Sequence, residues 1–237
     1  MPTIDIVVSP AEFPYYECKN HIVVVIDIFR ATSSIVTAFA NGAQSMIPVK
    51  SIEEAHTYKQ KGYLVAGERN GIPIEGFDFG NSPLDFTKEK VLDKNIVITT
   101  TNGTQAMEMA KQKGNEVIVG SFLNINAVIK YLVQSNKNVT LFCAGWKNKF
   151  NLEDYVCAGM LAHHLYTEHH FELNSDAALL GYLVFDRSKK KLKEFLNMSS
   201  HKKRLENSDL DKDIDFCLQQ SICNVVPVLK KDALVLL

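Results

Sequence analysis

Asp27 and Arg30 follow directly on the apolar run Val23-Val24-Val25-Ile26, so an acid and a base are delivered together to one strand end. The arginine offers a planar fork matched to phosphate or carboxylate oxygens. The carboxylate repels the same anion unless it holds a cation or acts as nucleophile or base. The structural alternative is a buried Asp27–Arg30 ion pair that ties the turn. Thr32, Ser33 and Ser34 come next and are expected to cap a helix through Ile35-Val36-Thr37-Ala38-Phe39-Ala40, ending at Asn41-Gly42. A helix N-terminus beyond a strand supplies free N–H groups and positive potential, which suit an anion.

Three further polar clusters stand at expected strand ends. Glu68-Arg69 repeats the acid–base pairing within Gly67-Glu68-Arg69-Asn70-Gly71, ahead of a long Gly-rich segment closed by Asn81-Ser82-Pro83. Its alternative is a surface ion pair. Thr101-Asn102-Gly103-Thr104 offers N–H groups, hydroxyls and an amide where a strand hands over to a helix, which is phosphate-cradling chemistry without a P-loop lysine. The plainer reading there is a capped turn. Glu153 and Asp154 open a helix behind Asn151, and either answer its dipole or hold a hard cation such as Mg²⁺. Neither G-x-x-x-x-G-K-[ST] nor G-x-G-x-x-G occurs, so nucleotide and dinucleotide readings are set aside. His163, His164, His169 and His170 lack the i, i+4 pairing of metal-binding helices.

These clusters need elements to hold them. Apolar runs predict strands over 3–8, 23–26, 44–49, 63–66, 95–100, 116–120 and 138–143. Helices are expected over 52–60, 105–113, 126–134 and 177–185, with a long one from 151. A strand pair over 224–228 and 233–236 closes the chain. The strand–helix alternation argues for α/β layering in one domain over 1–237. If the sheet is mainly parallel, the four clusters converge on its carboxyl edge. Carboxylates for a divalent cation, arginines for an anion and helix N-termini for its oxygens together suit phosphoryl transfer to water.

Composition narrows the partners. With 26 basic and 27 acidic residues there is no global charge to attract nucleic acid or an anionic membrane. No apolar run approaches the roughly 20 residues of a membrane span. Five cysteines without a C-x-x-C pair suggest neither disulfides nor zinc. A Met1-Pro2-Thr3-Ile4-Asp5 start without a basic or apolar region adds to the expectation of a cytoplasmic protein. The expected partner is a small anionic phosphorylated substrate, and a homo-oligomer is left open.

In this light the chain resembles the Mg²⁺-dependent 2-phosphosulfolactate phosphatases. The resemblance rests on Asp27-Ile28-Phe29-Arg30-Ala31-Thr32, Gly67-Glu68-Arg69, Gly76-Phe77-Asp78-Phe79-Gly80-Asn81-Ser82-Pro83 and Thr100-Thr101-Asn102-Gly103-Thr104. It continues through Gly120-Ser121-Phe122-Leu123-Asn124, Cys143-Ala144-Gly145 and Glu153-Asp154, with weaker matches at Ser200-His201, Leu205, Asp213-Ile214 and Val226-Pro227. It implies a three-layer α/β/α fold with a mixed, largely parallel sheet, and hydrolysis of 2-phospho-3-sulfolactate in coenzyme M synthesis. On this resemblance Asp27, Glu68 and Asp154 are expected to ligate Mg²⁺ or position water. Arg30 and Arg69 bind the anionic groups, and Asn81, Thr101, Asn102 and Thr32 hold substrate. The Gly145-Trp146-Lys147-Asn148-Lys149-Phe150 segment departs from the shorter, glycine-containing link of that pattern. Alternatives are a phosphatase for another phosphorylated hydroxy acid and a non-catalytic anion-binding protein. Haloacid dehalogenase-type phosphatases also place an aspartate after an apolar strand, but their D-x-D motif fails here at Phe29.

Overall fold

The branched residues of Ile22–Ile26 (β2) are buried at every position, and their alternation divides them between two cores. Ile22, Val24 and Ile26 point into one, Val23 and Val25 into the other. The computed structural model describes residues 1–113, 116–200 and 210–236.

The remaining strands are β1 (Thr3–Val7), β3 (Ser45–Pro48), β4 (Leu64–Arg69), β5 (Ile72–Pro73), β6 (Asn95–Thr99), β7 (Glu116–Gly120), β8 (Val139–Cys143), β9 (Glu172–Leu173), β10 (Val228–Lys230) and β11 (Ala233–Val235). They form one mixed, largely parallel sheet in the order β5-β4-β6-β3-β11-β10-β7-β2-β8-β1-β9. The α1 helix (Ala31–Ala40), the short α3 (Lys88–Val91) and α4 (Gly103–Gln112) pack on one face through Ile35, Val36, Val91, Ala106 and Met107. On the other face lie α5 (Ile125–Ser135), α6 (Leu152–His169), α7 (Asp176–Ser188), α8 (Leu192–Leu196) and the late helix Asp211–Cys217. There α2 (Ile52–Lys59) also covers Val65 and Val97 through Ala55. The layers are α/β/α, as expected. Fully burying each such Val, Ile or Leu contributes about 1.5–3 kcal/mol. No helix among the described residues is long and apolar enough to cross a membrane.

One expectation about the sheet is corrected. The β10–β11 hairpin inserts between two parallel blocks, β4-β6-β3 and β7-β2-β8-β1, and its contacts with β3 and β7 are both antiparallel. The blocks therefore run in opposite senses along the sheet, and there is no single carboxyl edge. Strand twist of about 20–25° per step accumulates to roughly 100–125° over the five steps from β6 to β2, turning the two sets of carboxyl ends toward each other.

Helix starts differ as well. Ser51 caps α2 by accepting from Glu54 N–H at 3.1 Å. The α1 helix instead begins at Ala31, with Arg30 in the capping position and no side-chain cap. Thr32, Ser33 and Ser34 lie inside the helix and are fully buried. Thr32 Oγ1 donates to Asp27 O at 2.8 Å and accepts from Asp27 N–H at 3.0 Å. Ser33 donates to Ile28 O and Ser34 to Asn81 O. The hydroxyls brace the turn from inside because its backbone, packed under the sheet, needs buried partners. The α4 helix likewise starts at Gly103, two residues before its expected position.

Candidate active site

The four polar clusters meet in a closed ring of hydrogen bonds. After β2, Arg30 Nη2 donates to Gly71 O at 3.5 Å, in the turn between β4 and β5. Gly71 N–H in turn donates to Glu68 Oε2 at 2.6 Å. Glu68 Oε1 accepts from Thr101 N–H at 2.7 Å, and Oε2 from Thr101 Oγ1 at 3.2 Å, which carries the ring to the start of α4. Next, Asn102 Oδ1 accepts from Lys147 N–H at 3.0 Å, beyond β8. From the same loop Gly145 N–H donates to Asp154 Oδ2 at 3.0 Å, and Ile28 N–H donates to Asp154 Oδ1 at 2.8 Å. That last bond returns the ring to the Asp27–Arg30 turn.

Asp27 sits inside this ring at the N-terminus of α4. A Cβ added at Gly103 would stand 2.9 Å from Asp27 Oδ2 and 2.7 Å from Ala31 Cβ, so only glycine lets helix and carboxylate approach this closely. Arg30 pairs with Asp213, whose Oδ1 also accepts from Ser82 Oγ at 2.7 Å. Arg69 forms no ion pair with Glu68 among the described residues. Its guanidinium donates to Glu68 O at 2.7 Å and Thr99 Oγ1 at 2.8 Å. Asn81 is buried, and its Oδ1 has no hydrogen-bond partner among the described residues. Thr32 lies behind Asp27, its hydroxyl spent on the turn rather than offered outward.

The electrostatics bear on a metal. Burial first, then the nearby Glu153 and Asp27 carboxylates, push the Asp154 carboxyl well above its ordinary range, against the opposing pull of the Ile28 and Gly145 N–H groups. A cation at Asp27 would relieve that repulsion. Among the described residues, however, no three His, Cys, Asp or Glu side chains gather to hold a metal. Glu68 and Asp154 spend both oxygens on N–H groups, so the expected cage of Asp27, Glu68 and Asp154 is not assembled. Mg²⁺ commonly takes one or two carboxylates with waters and phosphate oxygens. The donors fit that mode through Asp27. Burial pushes the Cys217 thiol, near Arg30, up to about 12 and Cys143 well upward, so neither supplies a thiolate nucleophile.

Of the residues expected to form the site, Asp27, Arg30, Glu68, Arg69, Thr101, Asn102 and Asp154 are brought together, and Asn81 joins through Ser34. His201 lies outside the described residues. Sequence reasoning gave no role to Asp213 or Gly71, because their links to the ring run through the backbone or across most of the chain, whereas Trp146 and the lysines of 145–150 were expected to alter specificity. The weak match at Asp213-Ile214 was the sign of Asp213, without a partner attached to it.

A ring that offers an acid, two arginines and a helix N-terminus to an anionic ester belongs to a phosphoric monoester hydrolase. Residues 7–232 match the family model described as 2-phosphosulpholactate phosphatase. The chain is 42% identical over 233 residues to a probable 2-phosphosulfolactate phosphatase of Thermotoga petrophila, covering 98% of each. The Thermotoga maritima relative of the same name is equally similar, and one from Clostridium novyi is 37% identical over 227 residues, covering 94% of this chain and 95% of its own. This chain belongs to the 2-phosphosulfolactate phosphatase family.

Proposed function

We propose that the protein is a cytoplasmic, Mg²⁺-dependent phosphatase that converts (R)-2-phospho-3-sulfolactate and water to 3-sulfolactate and phosphate, on a route to coenzyme M or a related sulfonate. The observation that carries this reading is the placement of Asp27 against Gly103 at the α4 N-terminus, inside a ring that also holds Arg30 and Arg69. The relatives' names support the choice of substrate.

In this mechanism the α4 N–H groups and the Asn102 amide N–H₂ receive phosphoryl oxygens, Thr101 holds the turn through its bonds to Glu68, and Arg30, fixed by Asp213, neutralises the phosphoryl charge. Arg69 binds a second anionic group. Asn81 holds a phosphoryl oxygen, with its Oδ1 open to a donor such as water. Asp27 orients the attacking water and accepts its proton as the new P–O bond forms. The ester P–O bond breaks, its electrons stay on the substrate oxygen, and that oxygen takes up a proton to become the hydroxyl of 3-sulfolactate. Glu68 and Asp154 hold three loops in register. When bound at Asp27, Mg²⁺ supplies Lewis-acid charge against the phosphoryl oxygens.

The test is phosphate release from (R)-2-phospho-3-sulfolactate, 2-phospholactate and phosphoglycolate, with Mg²⁺ and with EDTA. Metal-dependent turnover preferring the sulfonate is expected. Turnover of the other esters alone contradicts the substrate, and retention of all three without turnover favours an anion-binding protein.

A further inference from the structure

The outer face of α7 is apolar where the outer face of a surface helix is ordinarily polar. Leu179, Leu180 and Leu183 are 47%, 55% and 44% exposed. Tyr166 of α6, edge-on to Tyr182 and 45% exposed, continues the patch. On α5 the exposed positions are Asn126, Lys130 and Gln134, a plain solvent face. The leucines cannot turn inward, because the opposite side of α7 is already used: Ala178 and Phe185 lie in the core. There a Cβ at Gly159 would stand 2.3 Å from Gly181 O, so α6 and α7 are closed on each other and the patch is held rigidly outward.

The order of residues along this face says what covers it. Asp176, Leu180, Leu183 and Arg187 follow at steps of four, three and four, the seam spacing of two packed helices. Asp176 and Arg187 make no ion pair among the described residues, and Asp186 beside the arginine is taken by Lys189 at 2.8 Å. Each charge suits the dipole at its own helix end, which accounts for neither the leucines between them nor the spacing. Turned end for end about a two-fold axis between Gly181 and Tyr182, the seam matches itself. Leu180 then meets Leu183 and Asp176 meets Arg187, each contact made twice. We propose that α7 is the isologous interface of a homodimer, in which the α7 helices of two copies of this chain pack antiparallel in that register. An open groove lined by Tyr166, Glu172, Asp176 and Leu179 lies at the acidic end and receives the second copy's basic end, Arg187 followed by Lys190.

Sedimentation velocity of the full chain over a roughly hundredfold concentration range gives the dimer dissociation constant. Leu180→Glu sets two unpaired carboxylates in the seam and should raise that constant about 100-fold or more. Asp176→Arg and Arg187→Asp each bring like charges together twice, and each should raise it about tenfold or more. An equimolar mixture of those two variants should associate within about threefold of wild type, because a mixed pair regains both acid–base contacts. Misfolded variants could not give that recovery. Wild-type protein that stays monomeric throughout overturns the proposal and leaves the face to a different protein. A dimer that survives Leu180→Glu is built on another face and overturns it as well. Charge variants that fail to associate when mixed overturn the antiparallel register.

Discussion

Arg30 and Asp213 are 183 residues apart in sequence and form a buried ion pair, with side-chain exposures of only 6% and 7%. The pair joins the turn after β2 to the late helix Asp211–Cys217, and Ser82 completes it from the loop before Pro83. Removing one partner strands a buried charge. Asp213→Ala should therefore cost about 3–5 kcal/mol in urea unfolding and lower kcat by misplacing Arg30. A variant as stable as wild type would show that the pair is solvated.

Glu68 organises two loops at once, because its two oxygens accept from Gly71 and Thr101 N–H groups. Glu68→Gln turns an amide N–H₂ toward one of those donors. The expected loss is about 1–3 kcal/mol of stability. A fall in kcat of roughly tenfold or more should accompany it, since the Thr101 turn shifts relative to Asp27. Steady-state kinetics beside thermal melts checks both. Wild-type kcat with reduced stability would confine Glu68 to a scaffold role.

Gly103→Ala places a methyl group 2.7 Å from Ala31 Cβ and 2.9 Å from Asp27 Oδ2. Overpacking of this kind costs about 1–3 kcal/mol. Here α4 must also retreat from the carboxylate, so activity should drop further than stability suggests. Chemical denaturation and phosphate release, measured on the same preparation, separate the two effects.

These tests bear unequally on what the sequence discloses. The Val23–Ile26 run, the Asp27 and Arg30 positions and the clusters at 68–69, 101–104 and 153–154 are local signals, and local signals survive folding. That the clusters meet was inferred from a parallel sheet with one carboxyl edge. They do meet, but by another route: the hairpin reverses one block and twist brings the ends together. No periodicity announces that reversal. Thr32, Ser33 and Ser34 carry the signature of caps, yet burial turned them into braces of the turn they follow. The pairing of Asp213 with Arg30 stayed illegible because it is set by topology rather than by spacing. Asp154 reads as a ligand from its place in the first turn of α6, and only the structure shows that its two oxygens also accept from the Ile28 and Gly145 N–H groups.

His21 gives the fold a pH dependence away from the ring. Asn138 Oδ1 accepts from Thr3 N–H, so its amide nitrogen faces His21 Nε2 at 3.4 Å, while His21 Nδ1 lies 2.9 Å from Thr140 Oγ1. That arrangement fits neutral imidazole, protonated on Nδ1. Burial lowers the His21 pKa, with Asp5 opposing it. A histidine whose folded pKa is depressed contributes stability that is present above its unfolded value of about 6.5 and lost as pH falls through the folded value. Wild-type stability should therefore decline as pH drops below about 6.5, and His21→Gln should decline less steeply. Burial lowers His163 in the same direction, so some slope remains. Urea midpoints from pH 8 to pH 5 decide the matter, and parallel profiles would remove His21 from the account.

The proposed hydrolysis depends on Asp27 acting as base at the α4 N-terminus. Phosphate release from (R)-2-phospho-3-sulfolactate by wild type and Asp27→Asn, each with Mg²⁺ and with EDTA, tests it most directly. Rapid release is expected from wild type with Mg²⁺ only, and release about 100-fold or more slower from the folded variant with Mg²⁺. Release by Asp27→Asn within about twofold of wild type would contradict it.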